Sequence, residues 1–151
     1  MLKKLSTLLS TALFSLTSNA EPLKVGVLFS SFGDVDSLDE VEAFVKKTLR
    51  DPDVVPVPRW MLPIVVDLGW HVSQKDILAE YSAINGRTNF RKNSQLQADA
   101  VAQALNNNGY DAKGYTGFTM TFPDISEPLA QAKADGVNEL VVFYQGAQWS
   151  E

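Results

Sequence analysis

A chain of 151 residues, 45% hydrophobic and 21% charged, suits one globular domain and is too apolar for a disordered segment. Its net charge of −5 argues against nucleic acid or an anionic membrane surface as partner, because both call for a basic face. With no cysteine and a single histidine, His71, disulfides, thiolate metal sites, iron–sulfur clusters and a multi-histidine metal site within one chain are excluded.

Residues 1–20 read as a secretory signal peptide. Lys3 and Lys4 give a positive start, and the apolar stretch Leu5 to Leu16 is shorter than the roughly 20 residues a spanning helix needs. Ser18-Asn19-Ala20 ends in small residues, as a cleavage site does. The expectation is an exported, periplasmic chain beginning at Glu21, with no stable membrane insertion after cleavage.

The first strand follows at Lys24 to Gly33, K-V-G-V-L-F-S-S-F-G. Val25, Val27, Leu28 and Phe29 form the short apolar run of a central parallel strand. Ser37 with Glu40 suggests a capping box, and Leu38, Val41, Phe44, Val45 and Leu49 recur at helical spacing. Ligands in open α/β sheets bind beyond the carboxyl ends of such strands. Ser30, Ser31, Phe32 and Gly33 are therefore the first place to look for a site; an ordinary strand–helix turn is the alternative.

Pro52, Pro56, Pro58 and Pro63 predict an extended or wrapping segment over residues 51–63. The apolar residues from Trp60 to Trp70 either fold over a cavity or pack against the sheet. Ser73 with Asp76 is expected to open a second helix, with Ile77, Leu78, Tyr81 and Ile84 on one stripe and Asn85-Gly86 as a left-handed stop. A polar loop is expected over residues 87–93. A third helix then starts at Ser94, with Leu96, Val101, Ala104 and Leu105 inward, and stops before Gly109.

Residues 112–121 are rich in Tyr, Thr and Phe and predict a second strand, closed by Pro123. Asp124 or Ser126 caps a fourth helix with Pro128 in its first turn, and Gly136 ends it. Glu139 to Tyr144, E-L-V-V-F-Y, reads as a third buried strand. The alternation implies an α/β fold, a three-layer parallel sheet with helices on both faces. The residues beyond Tyr144 are few, so the last strand is expected to lack a covering element on one side.

Four stretches in this order resemble the N-terminal half of ferrochelatases, the enzymes that insert ferrous iron into porphyrins. They are Lys24 to Val45; Glu80 to Phe90, E-Y-S-A-I-N-G-R-T-N-F; Tyr115 to Pro123, Y-T-G-F-T-M-T-F-P; and Val141 to Ser150, V-V-F-Y-Q-G-A-Q-W-S. The resemblance implies a chelatase-like half-domain over residues 21–151. It also implies a role in haem biosynthesis, with porphyrin or haem as the tetrapyrrole partner, Fe(II) as the metal substrate and no tightly bound cofactor. It puts Phe32 at the family's metal-facing position, and Tyr81, Thr88 and Trp149 where the family carries tyrosine, serine and tyrosine.

The sequence also departs from the family. The catalytic histidine and its paired glutamate belong to the family's second half, which these residues do not include. Phe32 has no lone pair for a metal. Glu80 stands where the family has an arginine suited to porphyrin carboxylates, and Thr119 stands where it has another.

An apolar slot for a flat ring is open to Phe32, Trp60, Met61, Trp70, Met120, Phe122 and Trp149, though the same side chains suit a plain core. Arg59, Arg87, Arg91 and Lys92 are candidate donors to ring carboxylates. His71 is either a structural histidine or a base. Asp34 and Asp36 either line a metal path or favour a turn and a helix start. Two readings follow: a ferrochelatase-type enzyme whose half-domain works as a homodimer, and an exported, non-catalytic module that binds haem or another tetrapyrrole.

Overall fold

The computed structural model describes residues 22–146. The expected signal peptide and Trp149 lie outside the described residues. The elements run β1 (Lys24–Ser31), α1 (Leu38–Leu49), α2 (Leu62–Ala83), α3 (Phe90–Asn107), β2 (Asp111–Phe118), α4 (Ser126–Ala134) and β3 (Glu139–Tyr144). The three strands form one parallel sheet in the order β2-β1-β3. Among the described residues no helix is long and apolar enough to cross a membrane.

The apolar run of β1 makes it the central strand, buried from Val25 through Ser31. Successive side chains point to opposite faces. Val25, Val27 and Phe29 pack on Ala98 and Ala102 of α3, while Leu28 and Tyr115 pack on Ala132 of α4. Small residues on both helices let them approach the sheet closely. A Cβ at Gly114 of β2 would lie 2.7 Å from the Ala98 carbonyl carbon of α3. The sheet is therefore a middle layer between helices, as the alternation of elements implied.

A third cluster lies to the side of the sheet. Val35, Val41 and Trp70 pack together with Phe44, Val45, Ile77 and Leu78, joining α1 to α2. Here the structure corrects the expected course of residues 51–73. The second helix starts at Leu62, not Ser73. Pro63 falls in its first turn, where a missing N–H and a fixed φ cost the helix nothing. Leu62, Val66 and Trp70 recur every four residues and are the buried side of that helix. The apolar run is thus helix packed on α1, not an extended lip, and Trp70 belongs to this core.

Three other boundaries move. The third helix begins at Phe90 rather than Ser94, behind Asn89 at a left-handed φ of 56°. Regular pairing in β2 stops at Phe118 rather than Thr121, although Thr119 N–H still donates to Ser31 O and Met120 N–H to Phe32 O. Ser37 makes no side-chain cap bond; instead Glu40 Oε2 accepts from Asp36 N–H.

The third strand is not buried. Every residue of β3 is exposed, Val142 to 54%. It pairs with β1 on one edge, and among the described residues no strand lies on the other. Its apolar composition was correctly read as strand, but burial does not follow, because side chains point to the sheet faces and the described helices pack chiefly on β1 and β2.

Candidate functional site

Residues 32–35, which leave the carboxyl end of β1, are the point on which the other loops converge. Phe32 O accepts from Met120 N–H at 2.9 Å, drawing in the β2–α4 loop. Gly33 takes a φ of 85°, and a Cβ there would press into Thr121 and Phe118, so only glycine fits the turn. Asp34 Oδ1 accepts from its neighbour Val35 N–H at 2.8 Å and from Tyr81 Oη at 3.0 Å. Val35 O accepts from Thr88 Oγ1 at 3.2 Å. The end of α2 and the α2–α3 loop are thereby fastened to the β1–α1 loop.

Gly86 makes the second of these contacts possible. Its φ is 68°, and a Cβ there would lie 2.6 Å from Leu38 N at the start of α1. Both the backbone conformation and the close approach exclude a side chain.

Of the sequence-derived candidates, Phe32 and Met120 are joined by a backbone bond, and Phe32 is 52% exposed. Met120 lines a cavity of about 390 Å³ with Asp39, Glu40, Phe44, Lys47 and Phe122 among its walls. Tyr81 and Thr88 line a different cavity of about 290 Å³, with Asp34, Glu80 and Ile84. The candidates thus share one rim but not one pocket.

Arg91 sits at the start of α3 and ties the rim together. Its Nε pairs with Asp36 Oδ2 at 2.9 Å, its Nη2 pairs with Glu40, and its Nη1 reaches Phe122 O at 3.4 Å. The guanidinium is therefore already engaged by two carboxylates and a carbonyl and is not an open donor. Arg59, Arg87 and Lys92 are exposed and line neither cavity.

The Tyr81 phenol is pushed up to about 12, chiefly by burial and then by the negative charge of Asp34 and Glu80. It stays a neutral donor to Asp34 over the ordinary pH range. His71 is exposed on α2, with Nδ1 3.4 Å from Gln74 Nε2. It precedes Tyr81 by ten residues, roughly 15 Å along the helix. Among the described residues no group of three histidines or carboxylates could hold a metal ion.

Gln145 was not singled out from the sequence. Its N–H donates to Ser30 O at 2.7 Å, its Oε1 accepts from the buried Ser94 Oγ at 2.8 Å, and its Nε2 donates to Gln97 Oε1 at 2.7 Å. It closes the gap between the ends of β1 and β3 on the α3 side. The available signal was its place, the first residue past a parallel strand.

A parallel α/β lobe with a ligand-sized rim past the ends of its strands describes a class of small-molecule sites. The relatives make the assignment narrower. A family model described as Ferrochelatase matches residues 24–151. The chain is 31% identical over 130 residues to "Ferrochelatase-2, chloroplastic" of Oryza sativa subsp. indica, covering 84% of this chain and 25% of that protein. It is 30% identical over 131 residues to "Ferrochelatase" of Synechococcus elongatus, covering 84% and 33%. "Ferrochelatase-1, chloroplastic/mitochondrial" of Arabidopsis thaliana is 29% identical over 130 residues, covering 84% and 28%. The chain belongs to the ferrochelatase family, and it spans a quarter to a third of the length of these relatives.

Proposed function

We propose that this chain is a ferrochelatase-like protein of porphyrin or haem metabolism and that its rim is one wall of a tetrapyrrole cleft. The observation that carries the reading is the convergence of two loops and the end of α2 on residues 32–35, within a chain of this family. Phe32 offers an exposed aromatic face, Met120 and Phe122 an apolar border, and Thr88 a hydroxyl beside Tyr81. Fe(II) and a porphyrin are the substrates of the proposed family reaction, metal insertion, with the opposite wall supplied by a second lobe or by a second copy of this chain.

A second reading is an exported tetrapyrrole-binding module without turnover. It is favoured by the distance of His71, the single imidazole, from the rim, since metal insertion needs a base to take two pyrrole protons. The assay that separates the two uses protein beginning at Glu21, porphyrin, and Fe(II) or Zn(II), followed by absorbance, with the mass in solution measured alongside. Insertion faster than the protein-free control supports the enzyme. A Soret shift with no acceleration supports the module. Neither change rejects both.

A further inference from the structure

We infer that Lys47 is the receptor for a carboxylate on the edge of the tetrapyrrole, seated at the larger cavity. This rests on the reading of the rim as a tetrapyrrole wall and names the residue that meets the acidic periphery of the ring.

Lys47 is the one cation among the walls of the two cavities. It lies on the face of α1 that also carries Glu40, Ala43 and Phe44, spaced three and four residues apart and lining the same cavity. Among the described residues its ammonium makes neither an ion pair nor a hydrogen bond, whereas its neighbour Lys46 is held by Glu42 and Asp67. Arg91 is taken up by Asp36, Glu40 and Phe122 O. Glu80 and Thr119, at positions where the family carries arginine, offer no cation. Lys47 is left as the open donor beside the apolar border of the rim.

The acids on the same walls are either engaged or distant. Glu40 is paired with Arg91. Asp124 Oδ1 accepts from Ser126 Oγ at 2.7 Å and from Ser126 N–H at 3.1 Å. Those bonds hold its carboxyl below the usual range, with a smaller contribution from the charge of Lys47 across the cavity. Asp39 lies eight residues from Lys47, roughly 12 Å along α1. Apolar walls surround these groups: Ala43, Phe44, Met120 and Phe122. A flat ring resting on Met120 and Phe122 brings its edge to α1, where a carboxylate meets Lys47 in a charge-assisted hydrogen bond.

The test titrates the chain beginning at Glu21 with two ligands of one ring, a dicarboxylic porphyrin and the same porphyrin with both carboxyls converted to primary amides. Soret absorbance is read at low and high salt. Lys47→Met and Lys47→Arg are compared with the parent. Lys75→Met makes the same change in net charge at an exposed position away from both cavities, and Arg87→Met removes the exposed cation next to Thr88 in sequence.

Lys47→Met should lose about three- to fivefold in affinity for the acid at low salt, the modest loss of a solvent-open pair, and little for the amide. The difference should narrow as salt rises. Lys47→Arg should keep most of the acid affinity, and Lys75→Met should change little. Equal losses for acid and amide, an equal loss in Lys75→Met, or an acid-selective loss in Arg87→Met with none in Lys47→Met would overturn the inference and leave the tetrapyrrole reading standing. Failure of both porphyrins to bind the parent would remove that reading and the inference with it.

Discussion

Tyr81 Oη donates to Asp34 Oδ1 at 3.0 Å, across 47 residues of sequence. The bond fastens the last turns of α2 to the loop that leaves β1, so the position of one side of the rim depends on it. In Tyr81→Phe the aromatic packing stays and the bond goes. The expected loss is about 1 kcal/mol of unfolding free energy, since the pair is partly open to solvent. Urea denaturation measures it, and an unchanged midpoint would show that the latch carries no weight.

The same residue predicts an alkaline signature. The folded phenol titrates at about 12 against an ordinary 10, so between those values the unfolded chain has given up a proton that the folded one keeps. The stabilisation is full below pH 10 and is lost as pH rises from 10 to 12. Burial also raises the Tyr115 phenol, with help from its bond to Asp135. Stability measured across this window should fall less steeply in Tyr81→Phe than in the parent.

Arg91 is expected to matter more than either carboxylate it pairs with. Removing it leaves Asp36 and Glu40 facing each other and releases the β2–α4 loop at Phe122 O. Arg91→Met should cost about 2 kcal/mol, reduced from a fully buried pair because both carboxylates are partly exposed. Arg91→Lys should recover only part of this, because a single ammonium lacks the planar spread by which the guanidinium reaches Asp36, Glu40 and Phe122 O from three different nitrogens. Equal stability of the lysine variant and the parent would show that charge alone suffices.

Two glycines with left-handed φ separate conformation from crowding. Gly109 has open space where a Cβ would go, whereas Gly86 has Leu38 N at 2.6 Å. Gly109→Ala should cost about 1 kcal/mol and Gly86→Ala at least about 2 kcal/mol. The Gly86 change should also displace Thr88 from Val35 O, which an amide-proton spectrum of the rim would report.

Among the described residues no strand covers the outer edge of β3, which predicts self-association. An exposed, charge-poor strand edge is a template for pairing, and a lysine there blocks it. Val142→Lys should lower light scattering at high concentration with little change in stability. Phe143→Ala should instead destabilise, because Phe143 stacks on Phe29 with ring centroids 4.9 Å apart.

Local pattern carried much of the fold. The run Val25 to Phe29 predicts a central strand, and the alternation of strands and helices predicts the parallel sheet. Proline density misled at Pro63, because the same residue that breaks a helix interior is welcome in its first turn. A missing cover on one side of β3 was expected, but its six residues do not reveal which helices cover the sheet faces, so the exposure of every one of them was not readable. At the rim, Phe32 and Gly33 follow from their place after β1. The engagement of Arg91 does not, because Asp36 and Glu40 are more than 50 residues away in sequence. Nor does the division into two cavities, which depends on how three loops meet.

The most direct measurement is a Soret titration comparing the parent with Phe32→Asp, a change on an exposed side chain at the centre of the rim. The account predicts a saturable shift with a porphyrin for the parent, weakened at least about tenfold in the variant. A parent spectrum that does not move, or an equal shift in both proteins, would contradict it.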